Sequence, residues 1–124
     1  HKHPDTLPDF ELKTIKAVQS IGGICNEGFK DWFEALEYMK TEIDKTDYDI
    51  CILGCGAYGF PLAAHVKRTG KKAIHMGGAT QMLFGIRGKR WEEEYGEFMN
   101  EYWVRPSKEE TPEVAIKIEN GCYW

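Results

Sequence analysis

The sequence predicts an α/β, three-layer Rossmann-like fold with a small, mostly parallel sheet and helices on both faces. Three observations point there. Strand-like and helix-like segments alternate along the chain, which is the α/β pattern with short right-handed crossovers. The run Ile50 to Leu53 is apolar on both faces, as in a buried parallel strand. It ends in the glycine-rich turn Gly54-Cys55-Gly56-Ala57-Tyr58-Gly59, after which a helix is expected.

A chain of 124 residues suggests one domain, spanning residues 1–124, at roughly 150 residues per domain. Its opening at His1-Lys2-His3-Pro4 reads as the C-terminal part of a longer protein. The content is that of an ordinary soluble protein, 42% hydrophobic and 29% charged. No apolar run reaches the roughly 18 residues of a membrane span. The net charge of −4 disfavours bulk nucleic-acid binding, while leaving room for a local basic pocket. Of Cys25, Cys51, Cys55 and Cys122, none forms a Cys-x-x-Cys pair. That spacing suits neither a zinc knuckle nor a disulfide, and it favours reduced thiols and a cytoplasmic location.

Glu11 to Ser20 carries both helical spacing and β-branched residues. It is assigned as the first strand, ended by Gly22-Gly23. Phe29 to Asp44 is an amphipathic helix, with Trp32, Phe33, Leu36, Met39 and Ile43 as its apolar stripe. Tyr48 to Leu53 is the second strand. Pro61 suits the first turn of the helix that follows, and Gly70 suits its end. Ala73 to Met76 is the third strand, Gly77-Gly78 a second glycine turn, and Ala79 to Phe84 a short helix. Gly85 to Trp91 reads as a basic glycine loop, Glu92 to Met99 as a weak helix, and Thr111-Pro112 as the cap of a last helix ending near Asn120.

The chemistry gathers at the two glycine turns and the basic loop. In a strand–turn–helix setting Gly54 permits the tight turn, Gly56 lets backbone approach a phosphate, and Gly59 lets helix and strand pack closely. The helix N-terminus adds N–H donors and a positive dipole end. A dinucleotide site needs an acid about 20 residues on, for the ribose hydroxyls. His75 stands near that place, which demotes NAD; it could donate to a ribose or a phosphate. Thr80 and Gln81, after Gly77-Gly78, are expected at the mouth. Arg87, Lys89 and Arg90 suit a pyrophosphate, with Trp91 stacking on a base or sugar. As glycine-flanked loop cations they should be exposed, so replacing them should weaken binding and barely move stability. A solvated loop is the plain alternative. Cys55, near a helix start, is a weak nucleophile candidate with an expected lowered pKa. His65 reads as structural and Glu92-Glu93-Glu94 as a solvated face. Asp9-Phe10-Glu11 matches a metal–nucleotide pattern, but it precedes the first strand. No catalytic base and no metal ligand can be named.

The runs Ile52-Leu53-Gly54-Cys55-Gly56-Ala57-Tyr58-Gly59 and Gly70-Lys71-Lys72-Ala73-Ile74-His75-Met76-Gly77-Gly78 resemble those of an uncharacterised bacterial family associated with surface polysaccharide synthesis. So do Phe84 to Trp91, Tyr102-Trp103-Val104-Arg105-Pro106 and Gly121-Cys122-Tyr123-Trp124. More remotely, the strand, glycine turn, helix and Ala-Ile strand are similar to the C-terminal half of GT-D-fold glycosyltransferase domains. That resemblance implies a nucleotide sugar as substrate. It implies a divalent metal only through an upstream Asp-x-Glu, and the family's acid after Ala-Ile is His75 here. The function expected is therefore the nucleotide-sugar-binding part of a glycosyltransferase in cell-surface glycan synthesis. The alternatives are an NAD(P)-dependent oxidoreductase and a non-catalytic nucleotide-binding module. The expected partner is a nucleotide or nucleotide sugar, with no nucleic acid and no membrane span; a homo-oligomer is left open.

Overall fold

The computed structural model describes residues 7–20 and 28–124. The glycine pair expected to end the first strand, Gly22-Gly23, lies outside the described residues, as does Cys25. The chain divides into two compact units, one formed by Thr14–Thr80 and the other by the described residues 7–13 together with Gln81–Trp124.

In the Thr14–Thr80 unit, α1 spans Trp32–Lys45. It starts three residues later than the sequence suggests because Asp31 caps it, its carboxylate accepting from the Glu34 N–H at 2.9 Å. Ala35, Leu36, Met39 and Ile43 form its buried face. Phe33, expected in that stripe, points outward and is 69% exposed. The positions buried, 35, 36, 39 and 43, follow one helical face, and 33 lies off it. β1 (Ile50–Leu53) and β2 (Lys72–His75) pair in parallel, with Ile52 opposite Ile74 and Leu53 opposite His75. A 3-10 turn, Gly56–Tyr58, leads from β1 into α2, Gly59–Arg68.

The core joins α1, β1 and α2. Met39, Leu62 and Val66 are its most deeply buried large side chains, with Leu53 and Tyr58 beside them. One face of the sheet, including Cys51, Leu53 and Ala73, packs on this core. Ile50, Ile52 and Ile74 are exposed. The expectation that β1 is parallel therefore holds, while its apolar outer residues lie open.

Glu11 to Ser20 forms neither strand nor helix. Among the described residues β1 and β2 pair only with each other, and the segment joins neither free edge. It covers the core instead: Ala17 and Val18 pack against it, and the Ser20 hydroxyl bonds the Tyr58 hydroxyl at 2.7 Å. The described sheet thus has two strands rather than three.

Across the division runs α3, Ala79–Leu83. In the other unit α4 spans Lys89–Tyr95, so Lys89, Arg90 and Trp91 occupy a helix and not the expected loop. Gly88 precedes it in extended conformation. A 3-10 turn, Gly96–Phe98, follows, and Ile86 bridges Val104 in parallel. The last helix expected is replaced by two 3-10 turns, Ala115–Lys117 and Glu119–Gly121. Glu119, Asn120 and Gly121 all have positive φ, which a right-handed α-helix cannot accommodate. Among the described residues, no helix is long and apolar enough to cross a membrane.

Candidate functional site

The parallel pairing brings the C-terminal ends of β1 and β2 side by side, and the two glycine turns leave from those ends. In open α/β sheets this is where ligands enter. The Leu53 carbonyl is the hub of the arrangement. It accepts from the Met76 N–H at 3.0 Å and from His75 Nδ1 at 3.2 Å, and the Thr80 hydroxyl lies at 3.5 Å.

Each glycine of Gly54-x-Gly56-x-x-Gly59 has a distinct reason to be glycine. A Cβ on Gly54 would fall 2.5 Å from Thr80 Oγ1 and 3.0 Å from the Gly77 carbonyl oxygen. A Cβ on Gly59 would fall 2.1 Å from Cε1 of the His75 ring. Gly56 is different: it is exposed, has φ +52°, and among the described residues has nothing within 4 Å of an added Cβ. Two of the three are thus required by packing. The third presents open backbone at the head of α2.

Among the described residues, the first turn of α2 holds no acid and no side chain caps it, while the Tyr58 and Gly59 N–H groups donate to the Cys55 and Gly56 carbonyls of the preceding turn. Ala57 is exposed there. Tyr58 is turned inward, 4% exposed and stacked on Trp32 with ring centroids 4.9 Å apart, so only its backbone faces the turn. The sequence held the signal for this: Tyr58, Leu62 and Val66 recur at four-residue spacing on one helical face. Phe60 was not singled out by sequence reasoning. It is 77% exposed and meets the His75 ring edge-on at 4.8 Å. Gly77 takes a positive φ, +55°, and with Gly78 forms the turn after β2.

Cys55 corrects an expectation. Burial, with a smaller contribution from Cys51, pushes its thiol up to about 11, the reverse of the lowering expected near a helix start. Desolvation of the thiolate outweighs the dipole of a short 3-10 turn. At pH 8, Cys55 should therefore react with iodoacetamide roughly a hundredfold more slowly than an unhindered cysteine, as read by site-resolved mass spectrometry. The same shift has a linkage consequence. Its contribution to stability is present below the ordinary thiol pKa of 9.0 and is lost as pH rises to about 11, because the unfolded chain releases the proton first.

His65 pairs with Asp44 at 2.9 Å and serves the packing of α2 on α1. Among the described residues, no group of three His, Cys, Asp or Glu side chains is gathered as for a metal ion.

The basic segment belongs to the other unit and is occupied by its own chain. Arg87 donates to the Asn100 carbonyl at 3.0 Å and lies 4.0 Å from Glu92. Arg90 pairs with Glu119 and donates to the Tyr123 hydroxyl at 3.1 Å. That guanidinium holds the Glu119 carboxyl below the ordinary carboxylate range. Both arginines are half-buried, not the free loop cations expected, because residues 100 and 119–123 fold back onto them. Lys89 alone of the three is exposed.

The backbone continues the same contact. The Arg90 N–H donates to the Cys122 carbonyl at 3.0 Å, and Gln81 Nε2 to the Tyr123 carbonyl at 2.9 Å. Gln81 Oε1 accepts from Trp91 Nε1 at 2.9 Å, so Gln81 and Trp91 lock each other. A Cβ on Gly88 would meet the Tyr123 backbone at 3.0 Å, which explains that glycine. Glu92, expected to be merely solvated, pairs with Arg105.

No protein-family model matches the chain, and comparison with curated proteins and with solved structures gives no match.

Proposed function

We propose that the glycine turns at the C-terminal ends of β1 and β2 bind the diphosphate of a nucleotide sugar, and that the chain is the nucleotide-sugar-binding part of a glycosyltransferase in surface glycan synthesis. The observation that carries the first part is Gly56: exposed backbone at φ +52°, with no described atom on the side where a Cβ would stand, at the start of the turn that leads into α2. The second part rests on the resemblance of the glycine runs to surface-polysaccharide proteins and GT-D domains. A cytoplasmic location goes with this reading. The parallel pair is taken as part of a three-layer Rossmann-like sheet, in which the exposed face of Ile50, Ile52 and Ile74 is the one a second helical layer covers.

The reading does not draw on Arg87 and Arg90, which hold segments of their own unit. It disfavours NAD, because β2 ends in His75 where a dinucleotide fold carries an acid. A thermal-unfolding series with uridine diphosphate, uridine and NAD tests it. Uridine diphosphate at a hundred times its Kd should stabilise the chain by about 2.7 kcal/mol, a rise of several degrees in Tm. Uridine and NAD should do far less. A response to NAD alone overturns the transferase reading in favour of the oxidoreductase. A flat response to all three leaves a module without this ligand.

A further inference from the structure

We infer that Asn120 is a modification site, whose side-chain amide is lost through attack by the Gly121 backbone, and that Arg90 holds the folded turn in a shape that keeps this reaction shut. The inference stands apart from the nucleotide reading above.

The chain has three asparagines. Asn26 and Asn100 are each followed by glutamate, and Asn120 alone is followed by glycine. Glycine puts no side chain in the way of its own amide nitrogen, so that nitrogen can reach the side-chain carbonyl carbon of the asparagine before it. The reaction has two steps. The Gly121 nitrogen gives its proton to hydroxide and attacks Asn120 Cγ. The new N–Cγ bond closes a five-membered succinimide, the Cγ–Nδ2 bond breaks, and the side-chain nitrogen takes a proton from water and leaves as ammonia. Water then adds at either ring carbonyl, which leaves aspartate or isoaspartate. Water is the co-reactant, and Asn120 is exposed to it.

The fold opposes the first step. Attack requires the Gly121 nitrogen to stand on the same side of the Asn120 Cα–C′ bond as Cβ. At ψ 32° it stands nearly opposite. The same N–H donates to the Ile118 carbonyl at 2.8 Å, which keeps its proton in place. Glu119 and Asn120 are non-glycine residues at φ 45° and 57°, a conformation that persists only where the surroundings hold it. The contacts that hold it converge on Arg90. Its guanidinium pairs with the Glu119 carboxylate and donates to the Tyr123 hydroxyl at 3.1 Å. Its backbone N–H donates to the Cys122 carbonyl at 3.0 Å. The Cys122 thiol donates to the same Glu119 carboxylate at 3.5 Å. Arg90 is therefore a positioning residue, which fixes the chain on either side of the reacting pair. Isoaspartate would carry Cβ into the main chain and lengthen the turn, so one event should undo the contacts that prevented it.

The test follows loss of the Asn120 amide from the whole chain at pH 8, by peptide mass spectrometry. The folded wild type should react about tenfold or more slowly than the same chain unfolded in urea. Arg90→Ala should recover most of that difference while circular dichroism shows a folded chain. Arg90→Lys, which keeps a cation beside Glu119, should recover less. Glu119→Gln keeps the side-chain length and loses the ion pair, and it gives the same reading should Arg90→Ala fail to fold. Asn100 should stay intact throughout. Equal rates for the folded and unfolded wild type overturn the inference. So do wild-type rates in the folded Arg90→Ala or Glu119→Gln chain, and so does loss of the Asn100 amide as fast as that of Asn120 in the unfolded chain.

Discussion

Gly59→Ala is expected to destabilise the Thr14–Thr80 unit by about 2 kcal/mol, although alanine is the better helix former. Propensity alone favours alanine by about 1 kcal/mol within a helix. Against this, the new methyl would sit 2.1 Å from the His75 ring, well inside any van der Waals contact. The ring cannot simply swing away, because Nδ1 is tied to the Leu53 carbonyl and Phe60 packs on it. Overpacking of this kind costs about 1–3 kcal/mol, occasionally more. The double variant Gly59→Ala, His75→Ala removes the obstacle, so a urea-denaturation cycle should show a favourable coupling of about 1.5 kcal/mol or more. Additive effects in that cycle would mean that the two residues do not touch.

Gly56→Val should cost stability of similar size and, in addition, much of the binding. The residue has φ +52° and no described atom within 4 Å of an added Cβ, so the cost to folding is set by backbone strain, about 1–3 kcal/mol for a left-handed non-glycine residue. The valine methyls would then stand where the turn presents bare backbone. If a diphosphate approaches there, its affinity should fall at least thirtyfold, about 2 kcal/mol. Gly70→Val is the control. Gly70 also has a positive φ, +84°, and nothing within 4 Å of an added Cβ, but it lies past the far end of α2. It should show similar strain and unchanged affinity. Calorimetry with uridine diphosphate on the two variants separates blocked approach from general destabilisation.

What could be read in the sequence was what local periodicity encodes. The stripe Leu36, Met39 and Ile43 gave α1, the apolar run Ile50 to Leu53 gave β1, and Gly54-x-Gly56-x-x-Gly59 placed the strand–turn–helix step. Gly59 packs as its spacing implied, although its neighbour is the side chain of His75. Contacts made between residues distant in the chain stayed hidden. Arg90 and Glu119 are 29 residues apart, and nothing local marks them as a pair. Gly88 looked like loop flexibility and is a packing requirement imposed by Tyr123. Glu11 to Ser20 had strand composition but lies over the core through Ala17 and Val18 instead, a choice that local composition does not encode. Cys55 was misjudged because the dipole of a helix start is visible in a sequence and the burial of a thiol is not.

The central claim is that a diphosphate rests on the open backbone of the glycine turn. The most direct measurement is a titration of the nitrogen-15-labelled chain with uridine diphosphate, followed through its backbone amide resonances. The account expects the largest saturable shifts at Gly54, Cys55, Gly56 and Ala57, with smaller ones at Phe60 and His75. Saturable shifts confined to other residues, with the Gly54 to Gly59 amides unmoved, would contradict it.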